Sequence, residues 1–182
     1  MRLPIHAAIR SLLERYIDAV REVSGSLPVT DHDPENPSPC EVGAPDAEDV
    51  VTWRPARRDI APDFRPMEAL LGAALHEDLQ VWFGAWWCVP FEAQSGGETV
   101  VLSLVGSARD WERVSETVRR HVDAQRAQGA ATTVPVAALY DGRFVSVDNA
   151  TGAVLLESPR KDPVPVAPSL AAWLDRLAPI PL

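Results

Sequence analysis

Histidines beside carboxylates are the residues of this sequence that could bind a metal or exchange a proton. His76-Glu77 matches the first half of the HExxH zinc motif, but Gln80 stands where the second histidine would be. Asp31-His32-Asp33 offers three side chains that could hold a cation, but it has neither a second histidine nor the glycine-turned pattern of a calcium loop. We therefore expect no bound metal and no cofactor.

The other candidates for catalysis are His121 and the two cysteines, Cys40 and Cys88. His121 lies beside Val122 in a helical pattern, which favours a structural hydrogen bond at the edge of the core over a general base. The sequence contains no GxSxG, GxxxxGK[ST] or GxGxxG pattern. Two cysteines without CxxC spacing are typical of reduced thiols in the cytoplasm. A nucleophilic cysteine with a distant histidine stays an alternative, but we predict that the protein is not an enzyme.

Negative charge is concentrated in one segment. Between Glu22 and Trp53 there are eight acidic residues and no lysine or arginine, so this segment carries −8 of the formal net charge of −9. Such a local field repels nucleic acid and attracts basic protein surfaces, although a merely solvated acidic loop is the alternative. We predict that a partner binds to the acidic residues Asp31, Asp33, Glu35, Glu41, Asp46, Glu48, Asp49, Glu77 and Asp78.

A strand meander over Val134–Glu157 is the element on which the rest of the chain is expected to pack. Asp141-Gly142 joins two β-rich runs, and the polar tetrad Asn149–Gly152 joins the second run to a third. Both connections supply the positive φ that tight hairpins need. We predict three antiparallel strands here.

Four helices are predicted from apolar residues at helical spacing. The first covers Ile5–Val23, and the second starts at Pro66 and ends near residues 76–78. The third begins at Ser107, a residue that caps helices, and ends at Gly129. A short final helix opens at Ser169.

Two further stretches complete the predicted secondary structure. Leu79–Cys88, which is rich in tryptophan, and Thr99–Val105 are each predicted to form a strand. We expect the tryptophans to pack in the core, and stacking on a ligand is the alternative. The Pro-rich segment over residues 24–66 reads as extended, irregular chain, in which Val50–Trp53 is the only strand-like piece.

Length and composition predict one α+β domain over residues 1–182. With 182 residues and 46% apolar composition the chain can bury one core, and the elements above predict a single, mostly antiparallel β-sheet with helices packed on it. We expect no secretory leader, because Arg10 interrupts the apolar N-terminal stretch. The longest apolar run, Val81–Phe91, is shorter than the roughly 20 residues that a membrane-spanning helix needs.

Several short motifs together resemble one protein family, the Syd family within the SUKH superfamily. The motifs are Leu27-Pro28, Pro37-Ser38-Pro39-Cys40, Trp53 with Pro55, Asp110-Trp111-Glu112-Arg113-Val114, Glu116, His121, Asn149–Gly152, Ser169-Leu170 and Leu177-Ala178-Pro179. The resemblance covers nearly the whole chain, and its most specific parts are the Ser38-Pro39-Cys40 triplet and the Asn149–Gly152 turn.

The resemblance implies a non-enzymatic binding protein with a Syd-like fold. Its partner would be the SecY subunit of the translocon, bound at the cytoplasmic face of the inner membrane, and its role would be to control the quality of translocon assembly. Cytoplasmic loops of membrane proteins are rich in lysine and arginine, which fits an acidic binding surface. The superfamily also contains immunity proteins, so a basic toxin domain is the alternative partner.

Overall fold

The computed structural model describes residues 4–159 and 161–181. The remaining residues of the predicted 1–182 domain lie outside the described ranges, among them the first three residues of the N-terminal stretch considered for a leader. The helices are α1 (Ile5–Ser24), α2 (Arg65–Leu71), α3 (Glu77–Gly84), α4 (Ala108–Gln128) and α5 (Leu170–Leu174). The strands are β1 (Val29–Asp31), β2 (Glu41–Val42), β3 (Val50–Trp53), β4 (Ala56–Arg57), β5 (Trp86–Trp87), β6 (Glu92–Ser95), β7 (Glu98–Leu102), β8 (Thr133–Ala138), β9 (Phe144–Asp148), β10 (Val154–Glu157), β11 (Val164–Ala167) and β12 (Ala178–Pro179).

A seven-stranded antiparallel sheet forms the centre of the fold, in the order β11-β10-β9-β8-β7-β6-β12. The predicted meander is confirmed as β8, β9 and β10, and Gly142 and Gly152 adopt φ of 85° and 74° in its two turns. Residues 133–137 of β8 and 145–147 of β9 are all buried, so both faces of the sheet are covered at its centre. The predicted α+β class is therefore confirmed.

The two long helices pack through single apolar stripes. Ile9, Leu12 and Tyr16 of α1 are buried, and α1 contacts α3, α5 and β12. The stripe of α4 lies along β8, and α2 packs on α4. Ser107 caps α4 by accepting a hydrogen bond from the Asp110 amide (3.2 Å), as its sequence position predicts.

The predicted strand over Leu79–Cys88 is wrong, because most of it is helix α3. Leu79, Trp82 and Phe83 are buried at the i, i+3, i+4 spacing of a helix, and His76 caps the helix by accepting the Asp78 amide (3.2 Å). Only Trp86–Trp87 forms a strand. The second predicted helix also ends earlier, at Leu71, because Gly72 takes a left-handed φ of 72° and stops it.

The prediction of irregular chain over residues 24–66 is also wrong in part. This segment contains a three-stranded antiparallel sheet in the order β1-β3-β2, which we call the small sheet, and β4, which pairs with β5. Similarly, the Pro-rich connection after Glu157 contains β11, an edge strand that tolerates Pro165. These strands are short and pair over distance, so local patterns did not reveal them.

A buried polar network ties α4 to the large sheet. Glu157 accepts hydrogen bonds from Ser146 Oγ (2.7 Å), Thr133 Oγ1 (2.9 Å) and Gln125 Nε2 (3.0 Å), and its Oε2 lies 3.0 Å from His121 Nε2. His121 thus forms a hydrogen bond at the edge of the core, as the sequence predicts. Burial raises the pKa of Glu157, but the hydrogen bonds from His121, Ser146 and Thr133 outweigh it, and the pKa lies below its ordinary value.

We expect this network to contribute stability that is lost in acid. Because the folded-state pKa of Glu157 is depressed, its contribution is complete above the ordinary glutamate pKa and is lost as pH falls through the folded value. Glu157→Gln should lower the free energy of unfolding by about 1–3 kcal/mol at pH 7 and flatten its decline in acid. Urea unfolding between about pH 3 and about pH 7 measures both effects. The exposed Glu77→Gln is the control, and an unchanged acid profile for Glu157→Gln would contradict the assignment.

Candidate functional site

An acidic cleft lies where the small sheet meets the first turn of α4. The cleft has a volume of about 300 Å³, and we define it by Asp31, Asp33 and Glu41 on the side of the small sheet and by Arg109, Asp110 and Arg113 on the side of α4. The two walls of the cleft therefore come from segments that are about 70 residues apart in sequence.

The Ser38-Pro39-Cys40 triplet joins the two walls. Ser38 Oγ donates a hydrogen bond to the Gly106 carbonyl (2.5 Å) and accepts one from the Cys40 amide (3.1 Å). The Ser38 amide donates to Glu41 Oε1 (2.9 Å), which fixes that carboxylate in the cleft. The triplet that gives the family resemblance its specificity thus has a clear role in building the cleft.

The α4 wall is held by Asp110. Its Oδ2 accepts the Gly106 amide (3.1 Å) and its Oδ1 accepts a hydrogen bond from Arg113 Nη2 (2.7 Å). A carboxylate in the first turn of a helix also interacts favourably with the positive end of the helix dipole. Asp110 and Arg113 belong to the motif Asp110-Trp111-Glu112-Arg113-Val114, so this motif and the Ser38-Pro39-Cys40 triplet converge on one cleft.

Trp53 anchors the small sheet to the core. It lies in the central strand β3, is 1% exposed and stacks on Tyr16 of α1 with 5.7 Å between ring centroids. Its amide donates to the Pro28 carbonyl (2.9 Å), which sets the register of β1. Burial, with a smaller contribution from Cys88, raises the pKa of Tyr16 to about 12, which is consistent with a dry interface.

Asp33, Glu35 and Glu41 of the predicted binding carboxylates pair with arginine or histidine side chains of the same chain. Arg109 lies 2.7 Å from Asp33 Oδ2 and 3.9 Å from Glu35 Oε2, and His32 Nδ1 lies 2.8 Å from Glu41 Oε2. Arg109 is 61% exposed at its side chain, so its ion pairs are screened by solvent and contribute little to stability. The local negative field is therefore weakened at Asp33 and Glu35.

Four carboxylates keep their charge uncompensated. Among the described residues no lysine or arginine forms an ion pair with Asp31, Asp46, Glu48 or Asp49, and all four are exposed. Asp46 accepts the amides of Val50 and Glu48, which lowers its pKa. The β2–β3 loop that carries the last three meets β1 through the hydrogen bond from the His32 amide to the Asp49 carbonyl (2.7 Å).

Glu77 and Asp78 are not brought into the cleft. They open α3, whose cap residue His76 donates its amide to Asn149 Oδ1 (2.9 Å), and the Asn149 amide bonds the Thr132 carbonyl just after the end of α4. The cleft lies at the other end of α4, and a 21-residue helix is about 30 Å long. The nine predicted residues therefore do not form one surface.

The two cysteines considered for catalysis are buried. Burial raises the pKa of the Cys40 thiol and raises that of Cys88 well above its ordinary value, so both favour the unreactive thiol form. No group of three metal-binding side chains occurs among residues 4–159 and 161–181. Within the same ranges, none of the helices has the length and apolar character to cross a membrane.

Arg109 is the cleft residue that sequence reasoning missed. Its position next to the helix cap marked it only as part of a helix start, because the ion pair with Asp33 spans 76 positions of the chain. The resemblance motif beginning at Asp110 was the available signal, since it lies directly beside Arg109.

Fold and cleft together define an α+β protein in which a small acidic sheet is appended to a seven-stranded antiparallel core. The family model described as Syd protein (SUKH-2) matches residues 6–179. This chain belongs to the Syd family.

Individual relatives agree with that assignment. A protein named Protein Syd from Idiomarina loihiensis is 33% identical over 135 residues, which cover 72% of this chain and 74% of the relative. Protein Syd of Shewanella denitrificans is 30% identical over 175 residues, 94% of this chain and 78% of the relative. Protein Syd of Klebsiella pneumoniae is 28% identical over 175 residues, 95% and 96% of the two chains.

Proposed function

We propose that this protein is a non-enzymatic binding protein that docks basic cytoplasmic loops of the SecY translocon subunit in its acidic cleft. It would act at the cytoplasmic face of the inner membrane as a peripheral protein and control the assembly quality of the translocon. The observation that carries the proposal is the convergence of two separate family motifs on a cleft bordered by uncompensated carboxylates.

The physical basis is charge complementarity. Cytoplasmic loops of membrane proteins carry an excess of lysine and arginine, and Asp31, Glu48 and Asp49 present exposed negative charge to them. Complementary charges mainly raise the rate of encounter and exclude wrong partners, and they act over about 10 Å at ordinary salt. Binding should therefore weaken as ionic strength rises.

A pull-down from membranes of the native host at two ionic strengths tests the proposal. We expect the SecY complex to be retained at low salt and largely lost at high salt. Recovery of a toxin-domain polypeptide without SecY would overturn the translocon assignment and support the immunity-protein alternative. Retention of SecY that does not depend on salt would contradict docking through the acidic cleft.

Removing Arg109 should strengthen binding to a basic partner. Arg109→Ala deletes a positive charge from the cleft wall and releases Asp33 and Glu35, so we expect the affinity for purified SecY complex to rise about fivefold at low salt. The gain should shrink at high salt. Titration by surface plasmon resonance measures it.

Arg65→Ala is the matched control for this prediction, because Arg65 is also an exposed arginine in an ion pair, with Asp63 (2.8 Å), but does not line the cleft. Both variants should keep the stability of the original chain to within about 0.5 kcal/mol. Weaker binding by Arg109→Ala would show that the partner does not use the carboxylates that Arg109 holds.

A further inference from the structure

The outer edge of β1 has no hydrogen-bonding partner within the described chain. Antiparallel strands alternate between residues that bond the neighbour and residues that point away. The bonds from the Trp53 amide to the Pro28 carbonyl and from the His32 amide to the Asp49 carbonyl show that even-numbered residues of β1 and its flanks face β3. The amides and carbonyls of Val29 and Asp31 therefore point outward, and none of the described residues forms a backbone hydrogen bond with them.

The edges of the large sheet are protected, in contrast to β1. β11 contains Pro165, which lacks an amide hydrogen, and Arg176 Nη2 donates to its Val166 carbonyl (2.6 Å). At the other edge β12 has only two residues and ends in Pro179. Proteins usually block exposed edges in these ways because an open edge pairs with other strands. The open edge of β1 thus contrasts with both edges of the large sheet.

Exposure and charge indicate what could pair with β1. The Val29 side chain is 58% exposed and lies on the same solvent-exposed face of the small sheet as the Asp31 side chain, since side chains two apart in a strand lie on one face. A strand added here would find an apolar position opposite Val29 and a position for a cation opposite Asp31. Asp31 also lines the acidic cleft, and Glu48 and Asp49 lie on the loop that leads into β3.

We propose that β1 is an acceptor edge to which a basic segment of the partner adds as an antiparallel strand. This inference rests on the proposed function and specifies how the partner is bound. Backbone bonds to Val29 and Asp31 supply the register, and a lysine or arginine opposite Asp31 with an apolar residue two positions away supplies the specificity.

Backbone methylation of a synthetic peptide separates strand addition from simple charge attraction. The probe is the acetylated and amidated peptide Lys-Thr-Val-Thr-Lys. In the antiparallel register its valine lies opposite Val29 and its N-terminal lysine lies opposite Asp31. N-methylation of the valine and the N-terminal lysine removes the amides that face Val29 and Asp31 of β1, and should weaken binding about tenfold or more. N-methylation of the two threonines removes amides that face away, and should leave the affinity nearly unchanged. The two peptides have the same charge and the same number of methyl groups.

Equal affinities for the two methylated peptides, or no binding of the unmodified peptide, would overturn strand addition. Binding of SecY in the membrane pull-down would at the same time leave the proposed function standing, so the two failures are distinguishable. If the pull-down also fails, the partner assignment itself is wrong.

Substitution at Val29 provides a second arm on the protein side. Val29→Pro removes the outward amide without touching a bond to β3, whereas Val29→Ala keeps that amide and removes the two side-chain methyl groups. We expect Val29→Pro to bind the unmodified peptide at least about fivefold more weakly than Val29→Ala does. Equal affinity of two variants with equal thermal stability would contradict the role of this edge.

Discussion

Trp53→Ala should lower the free energy of unfolding by about 3–5 kcal/mol, the largest stability effect that we expect from a single substitution outside the large sheet. Trp53 is 1% exposed, lies in the central strand of the small sheet and stacks on Tyr16 of α1. Its removal leaves a cavity at the contact between that sheet and the helix. Urea unfolding followed by circular dichroism measures the loss.

The same substitution should also impair binding. When the contact between β3 and α1 is weakened, β1 and the β2–β3 loop lose their fixed position and the acidic cleft loses one wall. Trp53→Phe is the matched variant, because it keeps a ring against Tyr16, and we expect it to lose less than about half as much stability. If Trp53→Ala unfolds within about 1 kcal/mol of the original chain, the small sheet is not anchored through this residue.

Reversing two uncompensated charges beside the cleft should reduce the affinity for the SecY complex more than any other change that preserves folding. Asp31 and Glu48 are exposed, and among the described residues neither forms an ion pair. In the double variant Asp31→Lys, Glu48→Lys each site exchanges attraction for repulsion toward a basic loop. We expect a loss of at least about tenfold per site at low salt, measured by titration with the purified complex.

The control is a double reversal with the same change in net charge at the far end of α4. Glu77 opens α3 beside the Asn149 turn, and Asp162 lies beside His121 and Gln128 in a separate cavity. Glu77→Lys, Asp162→Lys should bind nearly as well as the original chain, because those charges are more than a screening length of about 10 Å from the cleft. Equal losses in both double variants would mean that net charge, and no particular surface, governs binding.

Local signals in the sequence predicted the elements that depend on local chemistry. The meander follows from glycine-containing turns, and α4 follows from Ser107 at its start and Gly129 at its end. Both elements are present at nearly the predicted bounds. The fold class could be predicted because these elements already indicate an antiparallel sheet with helices packed on it.

The errors fall where long-range contacts decide the structure. Tryptophans favour strands, yet Trp82 lies in a helix because Leu79 and Phe83 complete a buried helical stripe. The small sheet was mostly missed because its strands have two to four residues and find their partners only after folding.

The candidate site was predictable in composition but not in geometry. The run of carboxylates between Asp31 and Asp49 is visible in the sequence, whereas the separation of Glu77 from that run depends on the packing of α3 beside the meander. The same holds for Arg109, whose pairing with Asp33 requires the small sheet to lie against α4. Charge along the chain therefore indicates a kind of partner, and only the fold indicates where that partner can lie.

Site-specific photo-crosslinking in native membranes tests most directly whether the acidic cleft is where the partner lies. A photoreactive phenylalanine analogue at Val29 or Glu48 should form crosslinks to SecY that disappear at high salt, and the same analogue at Gln128, at the far end of α4, should form none. Crosslinks to SecY from Gln128 alone, or none from Val29 or Glu48, which lie beside the cleft, in a folded protein would contradict docking in the cleft.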